Sequence, residues 1–200
     1  MPNEFICLLL AAIGFAVGLM FIVWLTALRI NNLGIVDIAW SFGFLPIAIF
    51  FATFAHGDPT RRWLMVGMAG LWSLRLGTHI AVRVRKHHPH EDVRYEKLRA
   101  DWGAKLKSKT FWFFQFQAVI LAGLATIFLL PCLNAKTVIT PLEWSGVAVW
   151  LIAVAGESLA DRQLKQFKAN SANHGKICQN GLWNYSRHPN YFFEWLVWVG

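Results

Sequence analysis

From Phe5 to Leu28 the chain runs for 24 residues without an Asp, Glu, Lys or Arg. At about 1.5 Å of rise per residue, that length crosses a hydrocarbon core of roughly 30 Å, so the segment predicts a membrane-spanning helix. A cleaved signal peptide needs a basic start, a shorter apolar run and a small-residue cleavage site. The N-terminus reads Met-Pro-Asn-Glu and the run is too long, which favours the span. Four more apolar segments follow, at about Val36–Ala55, Trp63–Val82, Phe111–Leu133 and Trp144–Ala160. A sixth starts near Pro189 and meets Gly200 after about twelve residues, where a span needs roughly twenty. The last helix is therefore expected to be incomplete, either truncated or packed as a partial helix.

The polar stretches set the expected topology. Arg83 to Thr110 holds 28 residues with nine Lys or Arg, and Asp161 to His188 holds five more. Two spans separate these loops, so they lie on one side. With Arg29 that face carries fifteen basic residues against three on the other, Arg61, Arg62 and Lys136. The positive-inside bias places both long loops in the cytoplasm and the N-terminus outside, with a bacterial inner membrane as the expected location. No internal repeat or low-complexity tract divides the chain. The expectation is one domain over residues 1–200, an all-α integral membrane protein built as a bundle of about six transmembrane helices with basic cytoplasmic loops.

Composition agrees with this pattern: 56% of the residues are hydrophobic, eleven are Trp and sixteen Phe, alongside a net charge of +8. A basic nucleic-acid binder presents its charge on a recognisable soluble module, and none is visible, so nucleic acid is not an expected partner. Topology and lipid headgroups account for most of the positive charge. The three cysteines, Cys7, Cys132 and Cys178, are far apart and define neither a disulfide framework nor a zinc site. His87-His-Pro-His90 is interrupted by its proline and lacks a second ligand set, so no metal is expected.

Charges at membrane depth cost at least about 2.5–3.5 kcal/mol on insertion scales and so mark interior partners or chemistry. Asp37 lies in Gly34-Ile-Val-Asp-Ile-Ala-Trp40, one turn into the second segment, where the helix macrodipole also favours a carboxylate. Arg75 lies mid-segment in Leu71-Trp-Ser-Leu-Arg-Leu-Gly77, with His79 one turn on. A structural ion pair between Arg75 and Asp37 or Glu157 and a catalytic role for Asp37 and Arg75 both remain open. Glu91-Asp-Val-Arg-Tyr95, with Leu98 and Trp102 at helical spacing, predicts an amphipathic surface helix. Arg83 and Arg85 stand at the end of the third segment, placed either to snorkel to headgroups or to bind a polyanion.

On the extension of the fifth segment, Asp161, Lys165 and Lys168 form a polar stripe at i, i+4 and i+7. It reads either as a solvated face or as a carboxylate and two ammonium groups facing a phosphate-bearing ligand. Pro189 suits the first turn of the last helix, which puts Asn190 and Glu194 one turn apart on one face.

Gly181-Leu-Trp-Asn-Tyr-Ser-Arg-His-Pro-Asn-Tyr-Phe-Phe-Glu-Trp195, following the Asp-x3-Lys-x2-Lys stripe, resembles the C-terminal signature of the steroid 5α-reductase superfamily. The closest resemblance is to that superfamily's bacterial-type branch, the 3-oxo-5α-steroid 4-dehydrogenase C-terminal-like proteins. The Val-Asp-Ile-Ala-Trp, Leu-Trp-Ser-Leu-Arg-Leu and Glu-Asp-Val-Arg-Tyr stretches match the same branch, extending the resemblance over about residues 34 to 200. It implies a seven-helix membrane reductase that binds NADPH from the cytoplasmic side and reduces a C=C bond conjugated to a carbonyl. The implied substrate is an apolar, steroid- or lipid-like small molecule entering from the bilayer. Carried across position by position, the cofactor-binding residues implied are Arg83, Arg85, Asp161, Lys165, Lys168, Tyr185, Asn190 and Glu194. The Gln-Glu pair that meets the substrate carbonyl in the steroid enzymes is not visible, and Asp37 is its expected substitute. Arg187-His-Pro189 stands where those enzymes have small residues.

Arg-His-Pro-x-Tyr is similar to a phrase of isoprenylcysteine and phospholipid methyltransferases, which implies S-adenosylmethionine as the alternative cofactor. A non-catalytic membrane lipid-binding protein is the third reading. Under the reductase reading, hydride transfer to the β-carbon of an enone leaves negative charge on the carbonyl oxygen, which Asp37 as an acid or Arg75 as a cation is expected to stabilise.

Overall fold

The structure, a computed structural model, describes the backbone of residues 2–87 and 90–200 and the side chains of residues 3–86 and 90–200. Part of the expected metal-free cluster, the His87 side chain with His88 and Pro89, lies outside these. The described residues form seven α-helices and no strand: α1 (Pro2–Ile30), α2 (Ile35–Phe54), α3 (Pro59–His87), α4 (Val93–Trp102), α5 (Leu106–Cys132), α6 (Pro141–Ala169) and α7 (Pro189–Val199). Contacts group them into two compact units, residues 1–137 and 138–200.

The protein is an all-α membrane protein. Among the described residues, four stretches are long and apolar enough to cross a bilayer: Asn3–Ile30, Ile35–Phe54, Val93–Cys132 and Pro141–Ala169. In the third of these the apolar part belongs to α5, because α4 carries Arg94, Glu96, Lys97, Arg99 and Asp101 within ten residues. The helix α3 has length enough, at 29 residues, but is not among the four. Ser73, Arg75, Thr78 and His79 dilute its apolar run, so the expected five complete spans are four by length and composition.

Within residues 1–137 the core is made by small residues that let helices approach. On α1, Ala12, Ala16 and Met20 recur every fourth position with almost no exposure, and α5 answers with Phe114, Ala118, Leu121, Ala122 and Ala125. Lipid tails give no hydrophobic reason for two helices to associate, so close van der Waals packing and hydrogen bonds must hold them. The α2–α3 pair is held in both ways: the Phe42 ring lies against Gly77, and Ser73 Oγ donates to the Ser41 carbonyl at 2.6 Å. At the centre, Phe44 meets Trp40, Trp72 and Phe128 edge-on, with ring centroids 4.8, 5.1 and 6.0 Å away. Such contacts contribute roughly 0.5–1.5 kcal/mol each beyond burial.

The turns at the two ends of α2 are pinned differently. After α2, Gly57 N–H donates to the Cys132 carbonyl at 3.1 Å and Asp58 N–H to the Asn134 carbonyl at 2.8 Å. The nearly buried Arg61 guanidinium donates to the Lys136 carbonyl, and Arg62 Nη1 closes the end of α2 through the Ala52 and Ala55 carbonyls, both at 2.8 Å. Before α2, Asn31 adopts a left-handed backbone, φ 54°, and the Asn32 side chain accepts from Gly34 N–H at 2.9 Å.

Within residues 138–200, α6 starts with a capping box, Thr140 and Glu143 satisfying each other's backbone, and Pro141 at its first position. Antiparallel to it runs α7, with Phe193 on Gly156 and Gly200 on Gly146. A 3₁₀ turn, Gly181–Asn184, is tied to α6 by Leu182 N–H on Gln163 Oε1 at 3.0 Å and by Trp183 Nε1 on the Ala160 carbonyl at 2.9 Å.

A Cβ at Gly57 would sit 2.3 Å from the Cys132 carbonyl oxygen, a backbone atom that cannot step aside. Gly57→Ala is expected to destabilise the detergent-purified protein by about 1–3 kcal/mol. Gly14→Ala, where a Cβ meets nothing within 4 Å on α1, is expected to leave the melting temperature unchanged or slightly raised.

Candidate functional site

In residues 1–137 a cavity of about 230 Å³ lies where the start of α2, the end of α3 and the start of α4 converge. Asn32, Asp37, Arg83, His90, Glu91, Asp92 and Tyr95 supply its polar lining, and Val84 and Val93 are among its apolar walls. Tyr95 is 4% exposed, and its hydroxyl donates to Asp37 Oδ1 at 2.7 Å. Arg94 Nη2 donates to Asp37 Oδ2 at 3.1 Å, so one carboxylate receives a phenol on one oxygen and a guanidinium on the other.

Local sequence explains why α4 meets α2 here. Asp92 caps α4, accepting from Arg94 N–H at 3.0 Å, and also accepts from Arg94 Nε at 3.0 Å, which aims the guanidinium at Asp37. Glu91 accepts from Leu33 N–H and from Arg99 Nε at 3.1 Å, while Arg99 Nη1 donates to Asn31 Oδ1 at 2.9 Å. The left-handed turn at Asn31 is thus bound from both ends of the first two turns of α4. The expected amphipathic helix is present, and its buried residue, Tyr95, faces inward.

The loop electrostatics follow from these bonds. The Arg94 guanidinium holds the Asp92 carboxyl below the usual carboxylate range, against the opposing effect of burial. Tyr95, on the charged helix outside the spanning segments, has its phenol pushed above its ordinary value, first by burial and then by the neighbouring Asp37 charge. It therefore remains a hydrogen-bond donor at neutral pH.

The expected site residues fall into two sets, one in each unit. Asp37 and Arg83 share the cavity, whereas Arg75 lies half-buried about two helical turns back along α3 and is not among its lining residues. Arg85 is exposed beside Arg83. In the second unit the α6–α7 pairing lays the start of α7, with Asn190 and Glu194, along the stretch of α6 that leads to Asp161. Asn190 Oδ1 is buried without a hydrogen-bond donor among the described residues. Lys165 and Lys168 extend from α6 into solvent, and Tyr185 is 87% exposed, turned outward from the chain. Nearby His188 stacks on Tyr191 at 5.3 Å.

A family model described as "Protein of unknown function (DUF1295)" matches residues 23–200, which includes both sets of residues. The chain belongs to this family. The DUF1295 family is associated with steroid 5-alpha-reductase-like proteins. No curated protein and no solved structure matches the chain.

Tyr95 and Arg94 were absent from the sequence-derived site of this DUF1295 chain. Their signal lay in Glu91-Asp-Val-Arg-Tyr95, where a tyrosine that packs inward on a charged helix must find a buried partner for its hydroxyl. Among the described residues no group of three or more His, Cys, Asp or Glu side chains is arranged to hold a metal.

Asp92→Ala is expected to cost about 1 kcal/mol through loss of the cap. Because the folded-state pKa of Asp92 is depressed, its carboxylate stabilises the fold above the unfolded value near 4 and loses that contribution as pH falls through the lower folded value. The melting-temperature gap between wild type and Asp92→Asn is expected to be full at pH 7 and to close in acid.

Proposed function

We propose that this DUF1295 protein is a membrane-embedded reductase of a C=C bond conjugated to a carbonyl in a steroid- or lipid-like substrate, with NADPH as reductant. The observation that carries the reading is the Tyr95–Asp37 hydrogen bond in the wall of a partly apolar cavity. A carbonyl reduced by conjugate addition needs a proton donor already in place where charge develops, in surroundings that resist ionising that donor prematurely. A buried phenol oriented by a carboxylate meets both requirements. Asp37 fixes the hydroxyl, Arg94 offsets the charge of Asp37, and Tyr95 delivers its proton to the developing oxyanion. The substrate reaches the cavity from the bilayer, and the basic loops lie on the cytoplasmic side of a bacterial inner membrane.

The residues of α6 and α7 suit a nucleotide cofactor. Asn190 Oδ1 is a buried acceptor that calls for a donor such as a carboxamide N–H, and the Lys165 and Lys168 ammonium groups suit phosphates. Asp161 and Glu194 suit hydroxyl or amide donors of the same ligand, while Arg83 and Arg85, on α3 of the other unit, carry positive charge that suits phosphate. Bound NADPH would supply the hydride. The exposure of Tyr185 gives it a place at the rim of such a site.

Tyr95→Phe, which keeps the ring and removes the proton, is expected to lower kcat by about 100-fold or more with little change in KM. Asn190→Ala and Glu194→Gln are expected to raise the KM for NADPH instead. NADPH at a hundredfold excess over its dissociation constant is expected to stabilise the detergent-purified protein by about 2.7 kcal/mol, with S-adenosylmethionine producing no shift. The reverse pattern in that thermal comparison selects a methyltransferase, and no shift with either ligand selects a non-catalytic lipid-binding protein.

A further inference from the structure

Tyr95 is 4% exposed and lines the cavity, so a proton given up there is replaced through that cavity. Beside the cavity that holds it lies a second, wider hollow of about 420 Å³, open to solvent and lined by Asn31, His90, Glu91, Glu96, Arg99 and Ala100. His90 and Glu91 line both spaces. They differ sharply in how they are held. The Glu91 side chain is 7% exposed and occupied by Leu33 N–H and by Arg99 Nε and Nη2, which makes it a fixed partition between the hollows. His90 is exposed, and among the described residues it belongs to no such clamp. Imidazole changes charge near neutral pH more readily than any other unperturbed side chain.

We propose that His90 relays protons from the cytoplasmic-facing hollow to the Tyr95–Asp37 pair, a role that rests on the reductase reading above. Bound NADPH would supply one hydride per turnover and solvent one proton. The hydride's electron pair would form the new C–H bond at the β-carbon while the C=C π electrons shift to leave an enolate. The Tyr95 Oη–H bond breaks as its proton passes to the enolate, and in the same step the His90 imidazolium gives its N–H proton, through water in the inner cavity, to the Tyr95 oxygen, so that no phenolate is left beside Asp37. The neutral imidazole takes up a proton from solvent in the outer hollow. A cavity of about 230 Å³ has room for several waters at roughly 30 Å³ each. The charged and titratable groups that share these two linings with His90 are Asp37 from α2, Arg83 from α3, Glu91 and Asp92 from the loop, and Tyr95, Glu96 and Arg99 from α4.

Two measurements on the full chain in detergent test the relay. The first follows NADPH oxidation with 4-cholesten-3-one and with trans-2-hexadecenal as enone probes. His90→Ala is expected to lower kcat about tenfold or more at pH 7 with KM unchanged, to flatten the pH–rate profile near neutrality, and to regain turnover when free imidazole is added. A His90→Ala protein with wild-type kcat, or a loss that imidazole does not restore, overturns the relay while leaving the reductase reading intact. The second needs no cofactor: the His90 titration is followed by NMR of ¹³C-labelled histidine in the ligand-free protein. Asp37→Asn is expected to lower its midpoint by removing a facing negative charge, and an unchanged midpoint shows that the two are not connected and overturns the relay. If wild type oxidises no NADPH with either probe and NADPH leaves its melting temperature unchanged, the reductase reading and the relay fall together.

Discussion

The contact on which the cavity depends is made by Glu91. Its nearly buried carboxylate accepts from the Leu33 backbone in the α1–α2 turn and from Arg99 two turns into α4. Removing a partner from such a buried ion pair leaves an uncompensated charge, so both ends are committed. The chain between these anchors has little freedom: Asp92 must start the helix, Arg94 must point at the start of α2, and Tyr95 falls one turn in, over Asp37. Compared with this, the Arg94 ion pairs are weak supports, because the Arg94 side chain is 63% exposed and water screens its charge. Arg94 tunes the charge at Asp37, while Glu91 and Arg99 determine where α4 lies.

The same economy of polar groups runs through the spans. Buried hydroxyls bond either across a helix contact, as Ser73 does to the Ser41 carbonyl, or locally, as Ser41 does to the Asp37 carbonyl at 2.8 Å and Thr110 to the Leu106 carbonyl at 2.7 Å. Thr110 also receives Trp24 Nε1 at 3.1 Å, joining α1 to α5 at their shared end. Association through small residues and single hydrogen bonds suits an environment in which apolar burial offers no preference between a neighbouring helix and a lipid tail. The exposed Leu10, Ile22, Phe116 and Leu151, all on helices long and apolar enough to span, are accordingly the positions expected to face lipid.

Much of this was legible in the sequence because it depends on length and local spacing. The uncharged run of α1, the proline at the start of α7 and the Tyr95–Leu98–Trp102 spacing of α4 each specify a helix from neighbouring residues alone. The span count was less legible, since α3 has the length of a span but a composition set by interior needs, with Ser73 and Gly77 serving the contact with α2. The site was legible only in half. Asp37 stood out as a charge in an apolar run, but its partners come from 57 and 58 residues away and depend on where α4 docks. The tyrosine on a charged helix hints at a buried partner for its hydroxyl, but nothing local says that the partner is Asp37.

The clamp also orders events during synthesis. Leu33 and Glu91 are 58 residues apart, and Asn31 and Arg99 are 68 apart. The α1–α2 hairpin is therefore made long before the residues that fasten its turn, and α3 is synthesised in between. The Asp37 carboxylate therefore meets its phenol and guanidinium partners only once α4 has been made and docked. The cavity wall is thus closed only after three helices have been made, across a separation of 58 to 68 residues along the chain.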